Sequence, residues 1–145
     1  MYYLRGLVNF IEPPLLIGPL VGYRVSERDP KSMIDSFEAF KELVTRFPNS
    51  PYYSDSLLRL SFLRNALADH EVRVADYYYR RGAYLAAINR AQAALRDYQG
   101  APTLEHALGI MVHSYDKLGL NELRDAAARV LRASFPKTEE IENKS

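Results

Sequence analysis

The sequence predicts an all-α fold, a solenoid of stacked antiparallel helix pairs, and three observations carry that reading. An aromatic residue followed by a break recurs where amphipathic runs end: Phe47-Pro48, Tyr98-Gln99 and Phe135-Pro136. Between the breaks, small, aromatic and glycine positions follow in order: Ala75, Tyr77 and Tyr78, then Gly82, Ala83 and Tyr84, then Ala87, Ala91, Ala94 and Leu95. No alternation of apolar and polar residues competes with the helical periodicity. The last two breaks lie 37 positions apart, near the ~34-residue period of tetratricopeptide repeats. The first two lie 51 apart, so an extra stretch of helix is expected before Ala75.

Taken in order, Tyr2 to Phe10 reads as a helix with apolar Tyr3, Leu4, Leu7, Val8 and Phe10, and Gly6 within it permits a neighbour to come close. Residues 11–28 read as a loop, because Pro13, Pro14, Gly18, Pro19 and Gly22 deny it regular structure. Asp29-Pro30 is a helix start, with Asp as cap and Pro at the first position. Met33, Phe37, Phe40, Leu43, Val44 and Phe47 then keep helical spacing. Pro48 to Pro51 is a turn. Tyr52 to Arg81 is helical throughout, either as one helix or as two with a break near Asp69-His70. Gly82-Ala83 ends it, and Ala75, Gly82 and Ala87 are read as the small residues that let axes approach, with Tyr78 and Leu95 filling the space between. Tyr84 to Asp97 is the next helix. After the Gly100-Ala101-Pro102 turn, Thr103 is the expected cap of a helix that Gly119 ends, and Asn121 the cap of the last, which runs to about Ser134. One tetratricopeptide-like domain of about 2.5–3 repeats is expected over residues 1–136, followed by a polar tail over 137–145.

Composition excludes several functions. Hydrophobic residues make up 48% and charged residues 26% of 145, which is globular. The net charge of +1 gives no global pull toward nucleic acid or anionic lipid. Charge is uneven, however. Residues 59–96 hold seven Arg against three acids, and residues 97–145 hold six Lys/Arg against eight acids, which suits contact with different protein partners. The absence of Cys removes disulfides, thiolate catalysis and Cys-ligated zinc. The apolar stretch from Pro13 to Gly22 is too short to span a bilayer.

Chemistry-bearing motifs are equally thin. His70-Glu71 starts like a zinc-protease signature, but Val74 stands where a second His is needed. His106 and His113, seven apart on one helix, are separated by about 10 Å of axis and do not share a metal. No Gly-rich phosphate loop and no Ser/His/Asp order stands out. The expectation is a non-enzymatic binding scaffold with no cofactor and no metal. Tyr77-Tyr78-Tyr79 covers most of a helix circumference, with Tyr78 expected in the core and Tyr77 or Tyr79 on a contact surface. Arg80 and Arg81 close that helix with positive charge.

A resemblance sharpens this reading. Tyr3-Leu4-Arg5-Gly6-Leu7, Arg28-Asp29-Pro30, Phe37 to Phe40, Phe47-Pro48-Asn49-Ser50, Leu63-Arg64-Asn65, Val74-Ala75-Asp76-Tyr77-Tyr78, Arg81-Gly82-Ala83-Tyr84 and Asn89-Arg90 resemble the C-terminal part of the BamD family. These are tetratricopeptide lipoproteins of the machine that assembles β-barrels in the bacterial outer membrane. The Tyr-rich Arg-Gly-Ala junction is more specific than the repeat consensus. The resemblance implies a scaffold at the periplasmic face of the outer membrane whose last repeats bind a POTRA domain of the barrel-forming subunit. It also implies accessory lipoproteins and unfolded outer-membrane proteins as further partners, and membrane attachment through an N-terminal lipid anchor missing from this sequence. Tyr115, Asp116, Lys117 and Asn121, in the last helical hairpin, are the residues it places nearest the POTRA contact; Tyr77, Tyr79, Arg80 and Arg81 join them as candidates. The alternative is a generic tetratricopeptide adaptor holding an extended peptide in its concave face, for which Asn65, Arg73 and Lys117 form no clear carboxylate clamp. The apolar face of the first helix is expected to lead to self-association or a mobile N-terminus.

Overall fold

The computed structural model describes residues 2–9 and 30–139. Every regular element among them is a helix: α1 Tyr2–Asn9, α2 Pro30–Arg46, α3 Tyr53–Arg80, α4 Tyr84–Asp97, α5 Leu104–Lys117 and α6 Asn121–Ser134. The all-α expectation holds. Phe10, the 11–28 loop and the Asp29 cap lie outside the described residues. The chain groups into two compact units, Met1–Leu67 and Ala68–Ser145, with α3 running through the boundary.

The open question of residues 52–81 closes in favour of one helix. α3 is 28 residues long and unbroken at Asp69-His70. No Gly or Pro falls between Tyr53 and Arg80, so nothing interrupts its hydrogen-bond ladder. Its extra turns account for the 51-residue interval between the first two breaks.

In the first unit α1 lies on α2 around Gly6. A Cβ built at Gly6 would sit 2.5 Å from the Phe40 ring, so only glycine fits. The close approach is tied by Ser36 Oγ, fully buried, which donates to the Gly6 carbonyl at 2.7 Å. A polar clamp joins α1 to the start of α3. Tyr3 Oη donates to Asp55 Oδ2 at 2.8 Å, and Arg59 Nε donates to the same oxygen at 2.8 Å. The Tyr3 ring stacks on Tyr52 with centroids 4.4 Å apart. Beside it an apolar groove of about 660 Å³ opens between Tyr2, Leu4, Leu43, Phe47 and Tyr52, and Leu4 is 65% exposed.

The clamp sets a pH dependence. The Arg59 hydrogen bond, with that from Tyr3, holds the Asp55 carboxyl below its usual range, and the bond to Asp55 raises the Tyr3 phenol. A depressed carboxylate stabilises the fold above its unfolded pKa, and the contribution is lost as pH falls through the folded value. A raised phenol contributes below its unfolded pKa and loses that contribution as pH rises through the folded value. The clamp is therefore at full strength between roughly pH 4 and pH 10. Unfolding of the Asp55→Asn variant is expected to lose the acid-side slope seen in the parent, measured by urea melts at stepped pH.

The second unit is built on small residues. Ala75, Ala87, Ala91 and Ala94 are all fully buried. Helices meeting through alanine come so close that no large side chain is held between them. Tyr78 and Leu95, expected as core fillers, are accordingly only half-buried at its edge. Large apolar residues enter with α5, which buries Leu104, Leu108, Ile110, Met111 and Tyr115, and with Leu131 of α6.

Gly82 has a different role from the one its neighbours suggest. It takes φ +77°, and a Cβ there would meet nothing within 4 Å. It is a left-handed turn residue rather than a close-approach site. Gly119, with φ +72° and equally open space, matches it. Alanine at either position is expected to cost about 1 kcal/mol through backbone strain alone, and asparagine less; urea midpoints of the four single variants check this.

Two cap expectations fail in detail. Thr103 occupies the N-cap of α5 but its hydroxyl caps nothing. The amide it would serve, that of Glu105, is already turned to the Pro102 carbonyl at 3.4 Å. Asn121 is the first residue of α6, behind Leu120 at the N-cap, because the tight turn at Gly119 starts the helix one residue early. The aromatic stops do behave alike. The amides of Phe47, Tyr98 and Phe135 donate to the carbonyls of Leu43, Ala94 and Leu131 at 2.8, 3.0 and 2.8 Å, closing the last turn of their helices.

Candidate partner-binding rim

Two helices of the second unit end in the same backbone device. After α3, the Ala83 amide donates to the Tyr78 carbonyl at 2.9 Å and the Gly82 amide to Tyr79 at 3.0 Å. After α5, Leu120 donates to Tyr115 at 3.0 Å and Gly119 to Asp116 at 3.0 Å. Both are Schellman turns, in which a glycine with positive φ lets two amides fold back on the last carbonyls. They lie 37 positions apart, so Tyr78 corresponds to Tyr115, Arg80 to Lys117 and Arg81 to Leu118.

The two turns share one end of the unit. Along the contact between α3 and α5, Asp76 Oδ1 lies 3.7 Å from His106 Nε2, and further on the Tyr79 ring lies 6.5 Å from the His113 ring. The contacts advance in the same direction along both helices, so the helices run in the same sense and their C-terminal turns share one end.

On the α3 side Tyr77 is 52% exposed, with the Arg81 guanidinium 4.9 Å above its ring and Tyr78 edge-on at 5.7 Å. Such a cation on an aromatic face is worth about 0.5–1 kcal/mol and presents both groups as one surface. Arg80 is turned aside to Asp76 at 2.7 Å. On the α5 side Asp116 accepts from Arg124 Nη1 at 2.8 Å, and Asn121 Oδ1 accepts from the same nitrogen at 3.2 Å. The bond to Asp116, and after it the bond to Asp125, raises the Arg124 guanidinium above its ordinary range. Lys117 is exposed and has no carboxylate partner among the described residues, and Arg81 has only the Tyr77 ring. Leu118 and Leu120, which flank the turn glycine, are 38% and 41% exposed.

The structure therefore gathers Tyr77, Arg80, Arg81, Asp116, Lys117 and Asn121 and withholds two candidates. Tyr115 is 7% exposed; it faces α4, where its hydroxyl accepts from Gln92 Nε2 at 3.3 Å, and it is a core residue. Tyr79 is half-buried between Tyr84 and His113. Leu118 and Leu120 were not read from the sequence as rim residues, although leucines flanking a turn glycine are the signal for them. Among the described residues no cluster of His, Asp and Glu could hold a metal ion, and no helix is long and apolar enough to cross a membrane.

The family model described as YfiO, outer membrane lipoprotein, matches residues 1–130. The chain belongs to this family. Among curated relatives it is similar to the outer membrane protein assembly factor BamD of Neisseria meningitidis serogroup A, 45% identical over 136 residues, which cover 94% of this chain and 51% of the relative. The same-named factor of Haemophilus influenzae is 34% identical over 94% of this chain and 52% of its own length. That of Vibrio cholerae is 33% identical over 90% and 54%. The chain thus spans about half the length of the curated relatives it matches. The resemblance read from the Tyr-rich junction and the Gly6 helix is borne out at family level, and the helical-repeat fold agrees with it.

Proposed function

We propose that this chain is a scaffold subunit of the outer-membrane β-barrel assembly machinery, acting without catalysis at the periplasmic face, and that its rim binds a POTRA domain of the barrel-forming subunit. The names of its relatives support the assembly role. The observation that supports the contact is the doubled Schellman turn, which ends α3, with Tyr77 and Arg81, and α5, with Lys117, at the same end of two parallel helices. Exposed Tyr77 and Leu118, with two cations that have no carboxylate partner among the described residues, suit a partner that offers both carboxylates and an apolar patch. Burying Tyr77 and Leu118 supplies affinity, and Arg81 and Lys117 set orientation and association rate.

The test is retention of the purified chain on an immobilised POTRA domain at micromolar concentration. The parent is expected to be retained and the double variant Arg81→Glu with Lys117→Glu to flow through. Absence of retention for the parent contradicts the proposal.

A further inference from the structure

A second surface lies on the other side of Arg124, in a groove of about 330 Å³ between α5 and α6. Val112 and Ala128 form its floor, and Arg124, Arg129, Arg132 and Asp125 line it. The repeat offset explains its shape. Shifted back by 37 positions, Val112, Arg124, Asp125, Ala128, Arg129 and Arg132 become Ala75, Ala87, Ile88, Ala91, Gln92 and Leu95. There α5 lies against the helix pair, touching α3 at Asp76 and Tyr79 and α4 at Gln92. Ala75, Ala87 and Ala91 are fully buried and Ile88 is 4% exposed. The groove on α5 and α6 is the same helix-receiving site one repeat later. Its floor stays small and apolar, and its walls change from Ala, Ile, Gln and Leu to Arg, Asp, Arg and Arg.

The charge is not internally balanced. Arg124 is engaged by Asp116 and Asp125, but neither Arg129 nor Arg132 has a carboxylate partner among the described residues. With Asp116 and Asp125 set against three arginines, the groove keeps a local excess of one positive charge, carried on the Arg129 and Arg132 side.

The geometry points to an acidic amphipathic helix of a partner protein as the occupant, seated where a following repeat would place its first helix. Its apolar ridge meets Val112 and Ala128, and its Asp or Glu residues meet Arg129 and Arg132, which offer bidentate pairing. This surface is independent of the POTRA reading, since it does not use Tyr77, Arg81 or Lys117.

The test uses the full chain and a stapled helical peptide of about 18 residues, long enough for roughly five turns. Leucines stand at i, i+4 and i+7 and glutamates elsewhere, with a lysine-for-glutamate version as control. By fluorescence anisotropy the glutamate peptide is expected to bind in the range of about 10 µM, the lysine peptide at least ~10-fold more weakly. Reversal by Arg129→Glu with Arg132→Glu is expected to invert that order, while Arg129→Lys with Arg132→Lys preserves it. Circular dichroism of the variants confirms an unchanged helix content. No binding of the glutamate peptide at about 1 mM, or binding indifferent to the reversal, overturns the inference. So does an affinity gain of about 10-fold on deleting residues 140–145, which would make the chain's own Glu-rich end the occupant. Capture of the chain by phosphatidylglycerol vesicles without peptide binding overturns it as well.

Discussion

Replacing Gly6 by valine is expected to detach α1 from α2 and to cost about 3 kcal/mol, the upper range for forcing atoms into a filled core. The first added carbon alone would lie 2.5 to 2.7 Å from three atoms of the Phe40 ring. Phe40 is fully buried, so its ring has nowhere to turn. Displacing α1 also strands Ser36 Oγ, which loses the Gly6 carbonyl, and opens the Tyr3–Asp55 clamp. Urea unfolding followed by circular dichroism reads the total, and hydrogen exchange of the α1 amides locates it. A double variant, Gly6→Ala with Phe40→Leu, is expected to lose less than the sum of its parts, because shortening the ring removes the clash. Strict additivity would show that some other contact holds α1.

The role of Gly6 is legible in the sequence, because glycine inside an apolar helical run has few other uses. The breaks at Phe47-Pro48 and Phe135-Pro136 were legible for a similar reason, since proline cannot continue a helix. Other features were not. The continuity of α3 was permitted by the absence of Gly and Pro but not demanded by it; packing along its length decides the matter. Tyr115 and Lys117 stand two residues apart, about 200° around the axis. Their separation into core and rim depends on how α5 is rotated, which periodicity in a helix buried from Ala107 to Val112 does not reveal. Thr103 and Asn121 have the right chemistry for caps, yet the backbone turns before them fix where the helices begin. Gly82 read as a packing residue because it sits among alanines, and only its φ shows that it serves the turn. The groove walled by Arg129 and Arg132 depends on how α5 and α6 pair, which no local pattern in the sequence encodes.

Charge reversal on the rim carries the second large effect. The double variant Arg81→Glu with Lys117→Glu is expected to weaken POTRA binding by about 100-fold, or roughly 3 kcal/mol, as attraction at two positions turns to repulsion. Tyr77→Ala is expected to cost about 10-fold, through lost contact area and loss of the support under Arg81. Isothermal titration calorimetry at low and high salt separates the two. The charge variants should converge on the parent as salt rises, and the tyrosine variant should not. Fold stability should hardly move, since Arg81 and Lys117 carry no carboxylate contact among the described residues. A matching loss from Arg129→Glu would place the POTRA contact in the α5–α6 groove instead.

The most direct test is the amide spectrum of the isotopically labelled chain titrated with the isolated membrane-proximal POTRA domain of the barrel-forming subunit. The account predicts saturable shifts at Tyr77, Arg81, Lys117 and Leu118 through Asn121, with the amides of α2 and the first half of α3 unmoved. A spectrum unchanged at saturating POTRA domain, or shifts confined to the first unit, would contradict it.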